Sequence, residues 1–365
     1  MAALFTPFAL RGVTLRNRIG IAPMCQYQSR DGFVDDWQLV HLGARAIGGA
    51  GVVIAEATAV SPEGRISPGC AGLWQDAHIE PWRRAARFIK AQGAVPGIQL
   101  AHAGRKGSAH IPWVEGGAHL PEGHADAWDI VAPSAIAFGG NLGRVPRELG
   151  VADIARVQAD FVAAARRALA AGFEWLELHF AHGYLAQSFF SPIANQRSDA
   201  YGGSFEGRAR FLLETAEQVR AAWPDHLPLG VKLGVTDFDP RGHSIEESIA
   251  LLSLLGARGI DLVDVSLGFN TPDVSAIPWG PGFLVPVAAR IRAATGLPVA
   301  AGWMISEPAQ AEAIIASGQA DLVVLARASL ADPQWPYHAA VALGVPDAWQ
   351  TLPRQTGGAL QPRGR

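Results

Sequence analysis

Short apolar runs recur along this chain, each followed by a stretch with helical spacing, and that alternation constrains the fold more than any other feature. The runs are Arg18–Ala22, Val52–Ala55, Val95–Leu100, Trp175–His179, Leu229–Leu233, Leu262–Ser266, Leu297–Ala301 and Leu322–Leu325. Several, such as VVIA and LVVL, are apolar without alternation, as strands covered on both faces are. The intervening segments carry helix ends. Asp153 opens the stripe Ile154, Val157, Phe161 and Ala165, which Gly172 ends. Ser204 caps a helix that Pro224 stops after Trp223. Ser244 and Glu247 form a capping box before Ile249 and Leu252, and Ser306 precedes Pro308 in a segment closed by Gly318. Eight strands alternating with helices predict an α/β fold, a single (β/α)8 TIM barrel over residues 1–350, ahead of an open doubly wound sheet.

Two segments depart from the rhythm. Residues 101–152 are rich in Gly, Pro and His and show no helix. A long loop after the third strand is expected to cap the C-terminal mouth, where barrel enzymes bind their substrates. Residues 351–365, rich in Gly, Pro and Arg, are expected to form a tail that is mobile or sits at a subunit interface.

Composition narrows the function classes. Apolar residues make up 49% and charged residues 17% of the 365, enough for a large core. A net charge of −3 with no basic run argues against a nucleic-acid partner. No apolar run reaches the ~18 residues of a membrane span, and the N-terminus lacks a signal-peptide layout. Two cysteines, Cys25 and Cys70, make no disulfide framework, so a cytoplasmic setting is expected.

The fourth run leads into ELHFAHGYL, which puts His179, His182 and Tyr184 at the predicted mouth. Two ring N–H groups can converge on a carbonyl oxygen and stabilise charge building there. A phenol with a pKa near ~10 keeps its proton at neutral pH and can act as a general acid. The same residues also read as a His-x-x-His metal pair, or as histidines satisfied by backbone. The residue types alone leave all three open, with no metal as the favoured expectation.

The segment HFAHGYLAQSFFSPIANQRSDAYGGSFEGRARF, His179–Phe211, resembles the signature of the Old Yellow Enzyme family. The start, PFALRGVTLRNRIGIAPMCQY, is similar to the N-terminus of the same family, and its PMCQY to the xenobiotic-reductase-like or thermophilic-like branch. GAGVVIAEATAVSPEGR and IQLAHAGRK fit as well, so the resemblance runs from about Leu4 to about Pro353. It implies an NADPH dehydrogenase of the ene-reductase type with non-covalent FMN, NADPH (or NADH) as reductant, and a small-molecule activated alkene as substrate.

The resemblance also assigns residues. Flavin contacts fall on Pro23, Met24, Cys25, Ala57 and Gln99, and Lys232 stands where the family usually carries Arg. Phosphate contacts fall on Gly302, Trp303, Ala326 and Arg327. Ala326 replaces a usual Gly, so its N–H can serve only if φ there is negative. Tyr27 and Trp303 fall in the substrate pocket. His179 and His182 become the carbonyl clamp and Tyr184 the proton donor. Gly207 stands where the family has Asn. Relatives form dimers or tetramers in which a C-terminal residue reaches the neighbouring site; the resemblance implies a homo-oligomer here, with Arg354, Arg363 or no residue at all in that part.

Overall fold

The computed structural model describes residues 2–362. All eight runs are strands of one closed parallel barrel. The strands are β1 (Ile19–Ile21), β2 (Val52–Ala59), β3 (Val95–Ala101), β4 (Trp175–Phe180), β5 (Leu229–Gly234), β6 (Leu262–Ser266), β7 (Val299–Ala301) and β8 (Leu322–Leu325), and β8 pairs back onto β1. The longer helices are α1 (Asp36–Ile47), α2 (Ile79–Ala91), α3 (Val151–Ala170), α4 (Phe205–Ala222), α5 (Ile245–Gly256), α6 (Val285–Thr295), α7 (Pro308–Ala316) and α8 (Trp335–Ala342). An antiparallel hairpin, Phe8–Leu10 with Val13–Leu15, lies at the N-terminal end of the barrel, tied by Gly12 N–H to His226 O and by Arg11 to Asp261.

Local chemistry accounts for several helix starts. Ser204 Oγ accepts from the Gly207 N–H, and Ser244 and Glu247 bond each other's backbone N–H groups. Two expectations need correction. Helix α3 begins at Val151 with Gly150 as its cap; Asp153 sits one turn in, where its carboxylate accepts the Gly150 N–H at 3.1 Å and pairs with Arg147. Strand β2 runs four residues past Ala55, because a bulge between Ala55 and Ala57 absorbs Glu56 and lets pairing with β3 resume. The Glu56 carboxyl is buried there, accepting from the Gln26 N–H at 3.0 Å and from Gln38 Nε2.

The long loop is held by side chains reaching backbone carbonyls rather than by regular structure of its own. Buried Arg105 donates to Ile136 O, Ala137 O and Asn270 O, and the Trp128 indole donates to Glu63 O. The short pair Val131–Ala132 with Arg147–Glu148 closes its far side. These bonds satisfy carbonyls that would otherwise be buried unpaired. At the other end of the chain, Arg354–Leu360 forms a short helix on the turn Ala348–Thr351; Arg363 lies outside the described residues.

The structure explains Gly207. A Cβ on this α4 residue would lie 2.1 Å from Gly202 O, so the Arg197–Gly203 turn packs directly on helix backbone. Alanine favours a helix interior over glycine by about 1 kcal/mol, but overpacking against backbone costs about 1–3 kcal/mol. Gly207→Ala is therefore expected to lower stability in urea unfolding, and Gly207→Asn to lower it further; an unchanged or raised midpoint would contradict this packing.

Burial pushes the Glu56 carboxyl up to about 7. The folded state then holds a proton that the unfolded chain releases above about pH 4.3, so this group costs stability as pH rises from there to about 7. Glu56→Gln should remove that component: the stability difference between variant and parent should change across pH 4.5–7, and a constant difference would contradict it.

Candidate active site

A parallel strand sends alternate residues inward, and the register decides which of them meet. Gln99 on β3 stands beside Glu177 on β4; His179 on β4 stands beside Lys232 on β5, which stands beside Asp264 on β6. Gln99 Nε2 donates to Glu177 Oε1 at 2.7 Å, and Lys232 is ion-paired with Asp264. All five residues are buried. Burial raises the Glu177 pKa, and neighbouring Asp264 adds to the rise. Burial works against the Lys232 ammonium, but Asp264 and Glu177 outweigh it and hold its pKa above the ordinary value.

One level higher, β4 ends in a turn through two left-handed residues, His182 (φ 62°) and Gly183 (φ 66°). Only glycine fits the second, since a Cβ there would lie 2.2 Å from Phe269 O. Lys106, from the long loop, pins this turn by donating to His182 O and Phe269 O, both at 2.8 Å. The turn folds His179, His182 and Tyr184 onto one another. Ring centroids are 4.9 Å apart for the two histidines, 5.0 Å for His179 and Tyr184, and 6.2 Å for His182 and Tyr184. Burial lowers both imidazole pKa values well below normal, aided for each by Lys232 and Lys106, so both rings are neutral at pH 7. Burial raises the Tyr184 phenol well above its usual value, so it keeps its proton.

A cavity of about 780 Å³ opens beside this cluster. Of the residues singled out in the sequence, Pro23, His182, Lys232, Gly302, Trp303, Ala326 and Arg327 line it. Ala57 and Tyr184 line a narrow adjoining cleft with Cys70 and Ala101. Gln99 lies below, occupied with Glu177; Met24 packs half-buried against the core. Burial, and then Cys70, push the Cys25 thiol up. Tyr27 lies beside Cys25 and turns its ring toward Trp113 of the long loop, at 5.7 Å.

These residues fit a flat anionic cofactor. The volume is that of an ordinary cofactor pocket. Lys232 supplies a cation at one wall. At the other wall Arg327 has no ion-pair partner among the described residues, and Ala326 has φ −108°, so its N–H can face the cavity without strain from its methyl group. No group of three or more His, Cys, Asp or Glu side chains among the described residues is arranged to hold a metal ion.

Sequence reasoning misses several residues of this site, among them Asp264, Ser266, Lys106 and Trp279. Asp264 and Ser266 interrupt the apolar run LVDVS with a period of two, the signal of inward polar groups. Lys106 is set only by contacts distant in sequence. Burial and adjacent Arg105 push its ammonium down to about 7, against an unfolded value near ~10.4. Between these values the unfolded chain binds more protons, so this group makes stability climb with pH. Lys106→Met is expected to flatten the rise between pH 7 and 9 in chemical unfolding, and an identical slope would contradict the burial of its charge.

Comparisons with known proteins place the chain in a family. The model of the NADH:flavin oxidoreductase / NADH oxidase family matches residues 3–344. An NADPH dehydrogenase of Geobacillus thermodenitrificans is 43% identical over 344 residues, covering 94% of this chain and 95% of the relative. The Old Yellow Enzyme homologue of Zymomonas mobilis superposes with a TM-score of 0.75 at 26% identity, covering 97% of this chain and 98% of that one. A 2-naphthoyl-CoA reductase in complex with 2-naphthoyl-CoA superposes at 0.84 with 28% identity; it covers 94% of this chain, which matches only 53% of that larger one. No helix among the described residues is long and apolar enough to cross a membrane. The chain belongs to the NADH:flavin oxidoreductase / NADH oxidase family, as an Old Yellow Enzyme-type oxidoreductase that uses FMN and takes its electrons from NAD(P)H.

Proposed function

We propose that this enzyme reduces the C=C bond of α,β-unsaturated carbonyl compounds and related activated alkenes. The observation that carries this reading is the trio at the end of β4: two neutral imidazoles and a protonated phenol packed edge to face, with His182 lining the cavity and Tyr184 the narrow cleft. Neutral imidazoles donate a hydrogen bond without bringing a charge of their own, which suits a carbonyl oxygen that gains negative charge only as the reaction proceeds.

Bound FMN supplies hydride chemistry at N5. In this reading Pro23, Met24, Cys25, Ala57 and Gln99 hold its ring system, and Gly302, Trp303, Ala326 and Arg327 hold its phosphate. Lys232, which lines the cavity, would supply the positive charge that an anionic reduced flavin calls for. Lysine gives a point charge there, where the family's arginine gives a planar fork.

His179 and His182 grip the substrate carbonyl, polarise the alkene and fix its orientation. Tyr184 holds the proton that goes to Cα. Tyr27 and Trp303 wall the substrate pocket. Reductant and alkene take turns at the same face, so ping-pong kinetics are expected.

Tyr184→Phe in the FMN-loaded enzyme should leave reduction by NADPH near the parent rate and slow alkene reduction about 10²–10⁴-fold, the span of general acid catalysis. An unchanged alkene half-reaction in stopped flow would remove Tyr184 from the mechanism. The double variant His179→Ala with His182→Ala should weaken binding of a phenol by at least about tenfold, the loss of two hydrogen bonds worth about 0.5–1.5 kcal/mol each. Equal affinity would remove the clamp.

A further inference from the structure

Ser266 closes β6 and is fully buried, with its hydroxyl between two ring systems. Its Oγ lies 2.7 Å from His182 Nε2 and 3.1 Å from Trp303 Nε1, and it has no other partner among the described residues. The indole nitrogen can only donate, so one lone pair of Ser266 is committed to Trp303. The hydroxyl has one proton to place, and the acceptor within reach is His182 Nε2. If Nε2 carried the imidazole proton, it too would donate to Ser266, and the hydroxyl proton would be left buried with no acceptor. Stranding a buried donor disfavours that arrangement by roughly tenfold or more.

The surroundings support the same arrangement. His182 Nδ1 makes no hydrogen bond among the described residues and is not a sealed atom, and His182 lines the cavity. Trp303 and Met304 both adopt left-handed backbone, φ 68° and 55°, a conformation that side-chain-bearing residues hold only when neighbours enforce it. That turn is what aims the indole at Ser266. His179 has no counterpart of Ser266: its Nδ1 is sealed without a partner.

We propose that Ser266, itself oriented by the Trp303 indole, is a positioning residue that locks His182 in the tautomer protonated on Nδ1, so that Nδ1–H is the donor presented to the substrate oxygen. This rests on the carbonyl-clamp reading for its consequence, but the tautomer itself does not.

The test uses FMN-loaded enzyme with ¹⁵N-labelled histidine and long-range ¹⁵N–¹H correlation NMR, His182 being assigned by its loss in His182→Asn. The parent should show protonated Nδ1 and unprotonated Nε2. Ser266→Ala should populate the Nε2–H form and weaken phenol binding about tenfold. Trp303→Phe should shift the tautomer in the same direction while keeping an aromatic ring, and Ser266→Thr should restore it. The flavin spectrum reports folding in each variant. An Nε2–H tautomer in the parent, or an unchanged Nδ1–H tautomer in Ser266→Ala, would overturn the proposal. A tautomer that shifts as expected while phenol affinity stays constant would uphold the lock and overturn the clamp.

Discussion

The site depends on one constraint: a polar residue that interrupts an apolar barrel strand has only the barrel interior to point into. Register then sets His179, Lys232 and Asp264 side by side, with Gln99 and Glu177 one level below. In that low-dielectric centre a charge must be paired, because an unpaired buried charge is strongly unfavourable. Lys232 is the cation of this layer: it is ion-paired with Asp264, and the charge of Glu177 adds to its stabilisation. Burial is the main reason that His179 and His182 stay neutral, and Lys232 and Lys106 add to it, so the core network bears on the imidazoles at the mouth.

Above that layer two strained turns border the cavity. His182 with Gly183 after β4, and Trp303 with Met304 after β7, are left-handed pairs at adjoining parts of one mouth. Each non-glycine residue held this way costs about 1–3 kcal/mol and persists only where its surroundings over-determine it. Here the surroundings are specific: Lys106 across two carbonyls for the first turn, and Ser266 on the indole for the second. The long loop thus reaches the site from outside the barrel and fixes the turn on which His182 and Tyr184 depend.

Much of this was legible in the sequence because barrel strands are buried on both faces and read as continuous apolar runs. The runs failed at their edges for physical reasons. Glu56 reads as the end of β2, but a bulge hides it; Asp153 reads as a cap, but Gly150 takes that place and Asp153 bonds back to it. The histidines and Tyr184 were visible because they are close in sequence. Lys106 and Ser266 were not, because their roles arise from contacts between residues 84 or 76 positions apart (Ser266 with His182, Lys106 with His182), which no local pattern encodes. Gly207 stood out only as a departure from a family pattern, and its cause is the Gly202 carbonyl lying against α4.

The central claim is that one cavity carries a flavin that NADPH reduces and an activated alkene reoxidises. The most direct test is the visible absorption spectrum of the purified, dialysed enzyme, followed anaerobically through addition of NADPH and then of cyclohexenone. The account predicts an oxidised-flavin spectrum that bleaches with NADPH and returns with the enone. A flavin that bleaches but is not restored by the enone would contradict the proposed alkene chemistry, and a colourless protein that takes up no added FMN would contradict the reading of the cavity itself.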